Sequence, residues 1–445
     1  MVNEATAPYT AGAVPRIRVR WRIFSLLFGF GLFAYVQQRC ITVAGYQMMP
    51  ELHLSQLQLS YLEEALLLGY TVLQFPGGLL GLRLGAHRAL TWISVVALAA
   101  VLLTPLAPLL ATGILLFSLL LLLQGLVGAA QAPIYPVCAG VFESWFPPHR
   151  WPLVQGVQSM GLQLGAALTP PLIAVLMALF GWQWALVWAN VPVLAVILIW
   201  ARYGRNSPAE HPSVSGAELE ELEVQRREGA SEAAAGSGAG GLRALLTSRD
   251  MLLLTFSYLC LNYCFYLLAN WVFLYLIQER HFALLEGGWL AGLPPLAAAF
   301  GSGLGGVLTS RLLHRHGARR GLHRLPLLTM PAAGLLIFLA VHAASPYLAV
   351  AALTLAYGCV EANEGPYWAA AMYLGRADAM AAGGILNTGG NAGGLIATPL
   401  VGYLSSRGQW TTAFVLGTVL ACASAAAWLL IDPSRRPGQG RAKMS

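Results

Sequence analysis

EANEGPYW (residues 361–368) and GAAQAPIYP (residues 128–136) decide the architecture of this chain. Each interrupts a long apolar run with polar residues and proline, one in either half of the sequence. Laid side by side, Pro366 falls on Pro133 and Glu364 on Gln131. The match continues downstream. VQSMGLQLGAALTPPLIAVL (157–176) resembles LNTGGNAGGLIATPLVGYL (386–404), with Thr169 and Pro170 on Thr398 and Pro399, and Gln158 on Asn387. Upstream, PGGLLGLRLGAHR (76–88) echoes GGVLTSRLLHRHG (305–317). Two halves repeated in parallel are typical of transporters, whose site lies at the midplane between the halves.

The apolar runs suit lipid. Of 445 residues, 57% are hydrophobic and only 10% are charged, with a mean hydropathy of +0.63. A soluble chain carries about 25% charged residues, so the composition places this one in the membrane class. The net charge of +7 and pI of 9.2 come from basic residues in short connections. No basic domain is formed, which excludes a nucleic-acid-binding reading. Six cysteines (Cys40, Cys138, Cys260, Cys264, Cys359, Cys422) lie inside apolar runs without a CxxC pair and read as packing residues. The first fifteen residues are mixed and polar. Arg16, Arg18, Arg20 and Arg22 follow, then an apolar run with no small-residue cleavage site, which reads as an uncleaved first span.

Runs of about 20 apolar residues can cross a bilayer. They are expected at 22–47, 57–81, 89–110, 113–145, 152–179 and 184–203, and again at 250–277, 284–310, 325–343, 346–374, 379–404 and 410–431. The expected fold is an all-α membrane protein of twelve transmembrane helices in two pseudo-symmetric six-helix bundles. Residues 1–21 are an N-terminal tail, 22–203 the first bundle, 204–249 a linker, 250–431 the second bundle and 432–445 a second tail. The linker holds an acidic helical patch (Glu218, Glu220, Glu221, Glu223) and then the flexible run SEAAAGSGAGG.

Basic residues cluster on one side of this scheme. Arg83, Arg88, Arg150, Arg202, Arg205 and Arg376 follow even-numbered spans, and Arg311, Arg315, Arg319, Arg320 and Arg324 crowd the connection after the eighth. Arg435, Arg436, Arg441 and Lys443 in the tail share that side, while opposite connections hold only Arg280 and Arg407. Both termini are therefore expected in the cytoplasm, with the chain multi-pass in a bacterial inner membrane.

Several segments resemble the major facilitator superfamily, and within it the anion:cation symporter group of galactonate, hexuronate and related organic-acid transporters. YVQQRCITVA (35–44), LQFPGGLLGLRLGAHR (73–88), ESWFPPHR (143–150), VSGAELEELE (214–223), NWVFLYLIQER (270–280) and GGILNTGGNAGG (383–394) carry the likeness, which spans nearly the whole chain. The resemblance implies alternating access around a cavity lined by helices 1, 4, 7 and 10. It also implies an Asp-Arg pair in span one, and an Arg and a Glu in span four, for coupling and anion binding. This chain departs at each place. Gln37 and Gln38 stand at the Asp-Arg pair, Gln124 at the span-four Arg and Gln131 at the Glu, with Leu82 and Ser310 at two loop aspartates.

Charge inside the spans then marks the candidate site, because burying it in lipid costs about 2.5–3.5 kcal/mol even on lenient scales. Glu361 and Glu364 lie three residues apart, on one helix face, and are the candidates for proton coupling. By the sequence pairing, Glu364 is the mirror counterpart of the family's coupling glutamate. Arg39 is the basic residue inside a span. It suits bidentate binding of a substrate carboxylate, an ion pair with Glu361 or Glu364, or snorkelling to the periplasmic face. A static ion pair would leave the two carboxylates without a coupling role.

Tyr35, Gln38, Gln131, Gln158, Asn270, Trp368, Asn387 and Asn391 join Arg39 as candidate substrate ligands, with Tyr70, Tyr135, Gln163, Asn262, Tyr266 and Asn363 as further polar or aromatic wall residues. Each amide has the competing reading of a bond to a neighbouring helix, worth about 0.6 kcal/mol. Glu63, Glu64 and Glu143 are entrance or gate candidates.

GSGLGG (301–306) fits GxGxxG but follows no strand, so helix contact is the better reading. No GxSxG, HExxH or phosphate-loop motif is present, and the histidines form no metal spacing. The expected protein is not an enzyme, needs no cofactor or metal, binds no nucleic acid and works as a monomer in the lipid bilayer. Its expected task is secondary transport of a small organic anion, a carboxylate in particular, with protons as the coupling ion. A larger zwitterionic or cationic metabolite (a drug-like compound or siderophore), an uncoupled facilitator and a transporter-shaped sensor are the other readings.

Overall fold

The structure, a computed structural model, describes residues 18–233 and 241–434. Arg16, the tail residues Arg435, Arg436, Arg441 and Lys443, and the glycine-rich run at 234–240 lie outside the described residues. Every element among those described is helical. In a bilayer an unpaired peptide group costs several kcal/mol, and helices satisfy theirs internally.

The first half comprises α1 (Val19–Glu51), α2 (Gln56–Val72), α3 (Gln74–Leu84), α4 (Ala86–Leu103), α5 (Ala107–Leu110), α6 (Gly113–Gln131), α7 (Ile134–Trp145) and α8 (Trp151–Tyr203). Helices α9 (Gly216–Ala233) and α10 (Gly241–Leu246) follow in the linker. The second half holds α11 (Arg249–Gln278), α12 (Leu284–Ala291), α13 (Leu293–His342), α14 (Pro346–Glu361), α15 (Glu364–Gly375), α16 (Ala379–Ser406) and α17 (Trp410–Leu430).

Local chemistry sets several boundaries. Ser55 and Gln58 form a reciprocal capping box at the start of α2, and Ser248 accepts from the Met251 N–H at the start of α11. Seven helices among the described residues are long and apolar enough to cross a membrane, or eight with α2 and α3, bent by 51°, taken as one span. Two of the seven are double length and break at a glycine. Gly181 in α8 (φ 78°) and Gly317 in α13 (φ 74°) take left-handed backbone that other residues resist. The break at Gly317 turns the chain within a helical connection. Arg311, Arg315, Arg319, Arg320 and Arg324, in the connection after the eighth expected span, stay helical on either side of that glycine.

The repeat is visible as matched breaks, in a different register from the sequence pairing. Helix α6 ends at Gln131 and α7 runs for 12 residues; α14 ends at Glu361 and α15 likewise runs for 12. Counted from the break, Gln131 corresponds to Glu361, one turn before Glu364. Pro136 and Pro366 then share the third position of the helix after the break. Each lacks the N–H that would bond back across it, so proline fixes where the ladder opens.

Helix α9 docks on the start of α1. Arg18 pairs with Glu221 at 2.7 Å, and Arg20, wholly buried, reaches Glu221 at 3.0 Å and Glu218 at 3.8 Å. This contact marks the linker end of the molecule.

At that end the two halves close on one another. A Cβ on Gly306 of α13 would lie 2.6 Å from the Pro152 carbonyl oxygen and 3.1 Å from Gly156 Cα, both on α8, so only glycine permits this approach. Ser310 Oγ donates to the His149 carbonyl at 2.6 Å, and the rings of Trp151 and Tyr373 meet edge to face at 5.0 Å. The rings of His149 and His314 lie 5.0 Å apart, tilted by 49°. Burial, with Arg150, His314 and Arg20 nearby, lowers the His149 imidazole to about 4. Of the cysteines, Cys40, Cys138, Cys260 and Cys264 are buried as expected, whereas Cys422 is exposed.

Candidate functional site

Between the halves, away from the linker-end contacts, lies a cavity of about 490 Å³. Helices of both halves supply it: α1 brings Tyr35, Gln38 and Arg39, α2 brings Glu63 and Glu64, and α11 brings Asn270. Glu361 closes α14, Glu364 and Trp368 open α15, and Asn387 and Asn391 project from α16. Eleven sequence-derived candidates therefore share one cavity: nine polar or charged side chains with Tyr35 and Trp368. Glu64 is exposed, which puts the cavity in reach of solvent on this side.

Three candidates stand elsewhere. Gln131 is buried in a chain of amides: its Nε2 donates to Gln37 Oε1 at 2.8 Å, and Gln37 Nε2 donates to Asn190 Oδ1 at 2.7 Å. This chain ties α1, α6 and α8 together. Gln158 is wholly buried outside the cavity lining, beside the Cys138 thiol. Glu143 is half-buried near the linker end of α7, where Ser144 Oγ donates to it at 3.5 Å.

The two deep carboxylates differ in their surroundings. Glu364 accepts from Tyr258 Oη at 3.0 Å on each oxygen and from Trp368 Nε1 at 3.1 Å. The Trp368 ring also packs 5.9 Å from Tyr135, across the boundary between the halves. Glu361 is 1% exposed, and Ser159 Oγ donates to it at 3.4 Å.

Arg39 has no carboxylate within ion-pair distance; its guanidinium lies 5.9 Å over the Tyr35 ring. The expected ion pair with Glu361 or Glu364 is absent, because these side chains reach into the same cavity from opposing halves without spanning it. The ion pairs given above join Arg18 and Arg20 to the linker helix instead, and Arg319 approaches Asp432 at 3.7 Å.

Sequence reasoning missed Tyr258 and Ser159. Tyr258 lies one turn before Asn262 on α11, and Ser159 one turn before Gln163 on α8. Helical spacing from those two amides would have found both. Asn391, which accepts from Tyr266 Oη at 2.9 Å, and Asn387 line the cavity from α16, which packs against α2 and α3.

Paired helical halves around a polar, charged cavity define a membrane transport protein. The chain belongs to the Major Facilitator Superfamily, whose family model matches residues 26–373. It is 29% identical over 421 residues to the probable sulfoacetate transporter of Cupriavidus necator, covering 94% of this chain and 95% of that protein. It is 25% identical to the probable galactarate/D-glucarate transporter GarP of Escherichia coli (88% and 89% covered), and 24% to the hexuronate transporter of Bacillus subtilis (90% and 91%). Among solved structures, the fold resembles the proton:xylose symporter XylE with a TM-score of 0.74 at 11% identity, covering 92% of this chain and 94% of that one. It resembles FucP in the outward conformation with a TM-score of 0.70 at 16% identity, covering 93% and 99%.

Proposed function

We propose that this protein is a secondary transporter that carries a small organic anion across the membrane by alternating access. Arg39 supports the reading most directly. It is the one cationic side chain among the described cavity-lining residues, it lacks a carboxylate partner, and a guanidinium is built to hold a carboxylate or sulfonate in two parallel hydrogen bonds. The named substrates of the relatives, sulfoacetate, galactarate, glucarate and hexuronate, are all anions.

In this reading the chain crosses a bacterial inner membrane twelve times, with α2 and α3, α6 and α7, and α14 and α15 each acting as one span and α8 and α13 as two. The linker end faces the cytoplasm. Closure there, with the cavity wetted at Glu64, corresponds to an outward-facing state. Transport exchanges the linker-end contacts of α8 with α13 and α15 for closure on the opposite side.

Proton symport belongs to the proposal, with Glu361 and Glu364 as the proton site. Like charges this close disfavour double ionisation, so the pair can hold a proton in one state of the cycle and release it in the other. The test is uptake of labelled organic acids into proteoliposomes under an imposed pH gradient. Glu364→Gln is expected to abolish gradient-driven accumulation and to leave substrate exchange intact. Accumulation at the wild-type level in that variant would rule out coupling through Glu364, and uptake indifferent to the gradient in the wild type would identify an uncoupled facilitator.

A further inference from the structure

The two deep carboxylates take their donors from different halves of the molecule. Glu364 is served by its own half, through Tyr258 of α11 and Trp368 of α15. Glu361, 1% exposed at the end of α14, is served by the other half. Ser159 Oγ of α8 donates to it at 3.4 Å, and the Gln163 amide, one turn further along α8, faces the same carboxyl. The titratable and charged groups around it are Glu364, Tyr258, Tyr357 of α14 and, on α1, Tyr35 with Arg39 beyond. Ser159 lies one turn along α8 from Gly156, which meets Gly306 of α13 with no room for a side chain. Opening the linker end parts α8 from α13 and α15 there, and so withdraws Ser159 and Gln163 from Glu361.

We infer that Ser159 and Gln163 are positioning residues that tie the proton on Glu361 to the state of the gate. They hold the Glu361 carboxylate while the linker end is closed, and protonation loosens that hold and frees the linker end to open. The inference rests on the proton-symport reading above and gives the two carboxylates different tasks. Tyr258 and Trp368 both donate to Glu364 and favour its charged form. The proton that the pair shares therefore sits on Glu361, and the charge on Glu364 holds it there. A hydrogen bond to a carboxylate is roughly twice as strong as one to a neutral acid, so proton binding weakens the contacts that cross between the halves. Linkage is reciprocal: closure favours ionised Glu361, and protonated Glu361 favours opening by the same free energy. That is the sign symport needs, since a proton loaded from the solvent side then promotes opening on the linker side.

The first measurement needs no substrate. Spin labels at the end of α7 and beside the Gly317 break of α13 report the linker-end distance in the full-length protein, well above pH 6.5, where His149 stays neutral. Ser159→Ala and Gln163→Leu are each expected to shift the closed-to-open ratio toward open about tenfold, as loss of a hydrogen bond to a charged group implies. Glu361→Gln, a mimic of the neutral acid, should do the same, and adding Ser159→Ala to it should change little. The second measurement follows labelled sulfoacetate, galactarate and glucuronate into proteoliposomes that hold a pH-sensitive dye. Each α8 variant is expected to carry fewer protons per anion and to accumulate less under a pH gradient, while exchange persists.

An unchanged distance and proton-to-anion ratio in Ser159→Ala, which loses a single oxygen, overturns the inference. So does a full-sized Ser159→Ala shift on the Glu361→Gln background, which would make the serine a packing residue. If protons enter with the anion equally in the wild type and the α8 variants, this inference alone falls. If the wild type moves an anion without protons, the symport reading falls and takes this one with it.

Discussion

Trp368 touches both halves of the molecule: its indole N–H donates to Glu364 at 3.1 Å, and its ring packs 5.9 Å from Tyr135. One side chain thus joins the deep carboxylate to the contact between α7 and α15. The two roles separate by substitution. Tyr135→Ala removes a ring pair worth about 0.5–1.5 kcal/mol. It is expected to shift the population away from linker-end closure, seen as faster labelling of a cysteine placed at Met380, the α16 residue that sits against Gly81 and Gly140 of the first half. Trp368→Phe keeps the ring contact and removes the N–H, so labelling stays near wild type while gradient-driven uptake falls. Equal labelling in all three proteins would separate Trp368 from closure.

Arg39 makes no ion pair that holds the fold together, so changing it is expected to act on ligand rather than on stability. Arg39→Lys keeps the charge and loses the fork. Affinity for the transported anion is expected to fall by about 1.5–3 kcal/mol, the range for a hydrogen bond to a charged group. The melting temperature of the empty protein should be unchanged. Calorimetry and thermal melting on the same preparation check both halves of the expectation.

Gly306 lies against Pro152 and Gly156 with no room for a side chain. Gly306→Val is expected to cost linker-end closure about 1–3 kcal/mol through overpacking. Spin labels at the end of α7 and beside the Gly317 break of α13 should report a longer distance in the variant. A distance unchanged from wild type would mean that the glycine contact does not hold the gate.

His149 gives the same closure a pH dependence with a definite sign. Burial and neighbouring cations lower its imidazole from 6.5 to about 4 in the closed state. A base with a depressed pKa favours the closed state while neutral, so its contribution is whole above 6.5 and fades as pH falls toward 4. The spin-label distance at the linker end should lengthen on acidification across that window. His149→Gln should flatten the response.

The sequence made the duplication and the membrane class legible because both are periodic. Apolar runs recur at span length, and proline at matched positions records where α6 gives way to α7 and α14 to α15. Cavity residues were legible for a related reason. Charge and amide groups within apolar runs have few inexpensive places to go, and Arg39, Glu361, Glu364, Asn387 and Asn391 did reach the cavity.

Pairing across space was not legible. Nothing in spacing shows that Gln131 bonds to Gln37 and on to Asn190, that Arg18 and Arg20 bind the linker helix, or that Arg39 stays apart from Glu361. Those outcomes depend on how helices rotate and cross. The same limit shifted the repeat by one turn. Aligned letters matched Gln131 with Glu364, whereas the break in the helix, which follows the missing proline N–H, matches it with Glu361.

Uptake of a labelled organic anion into proteoliposomes, compared between the wild type and Arg39→Gln at matched protein density, tests the transport proposal most directly. Saturable wild-type uptake that is lost or weakened by about tenfold or more in the variant is the expected result. Equal uptake by the two proteins would contradict it, since the anion would then cross without the cation that the cavity presents to it.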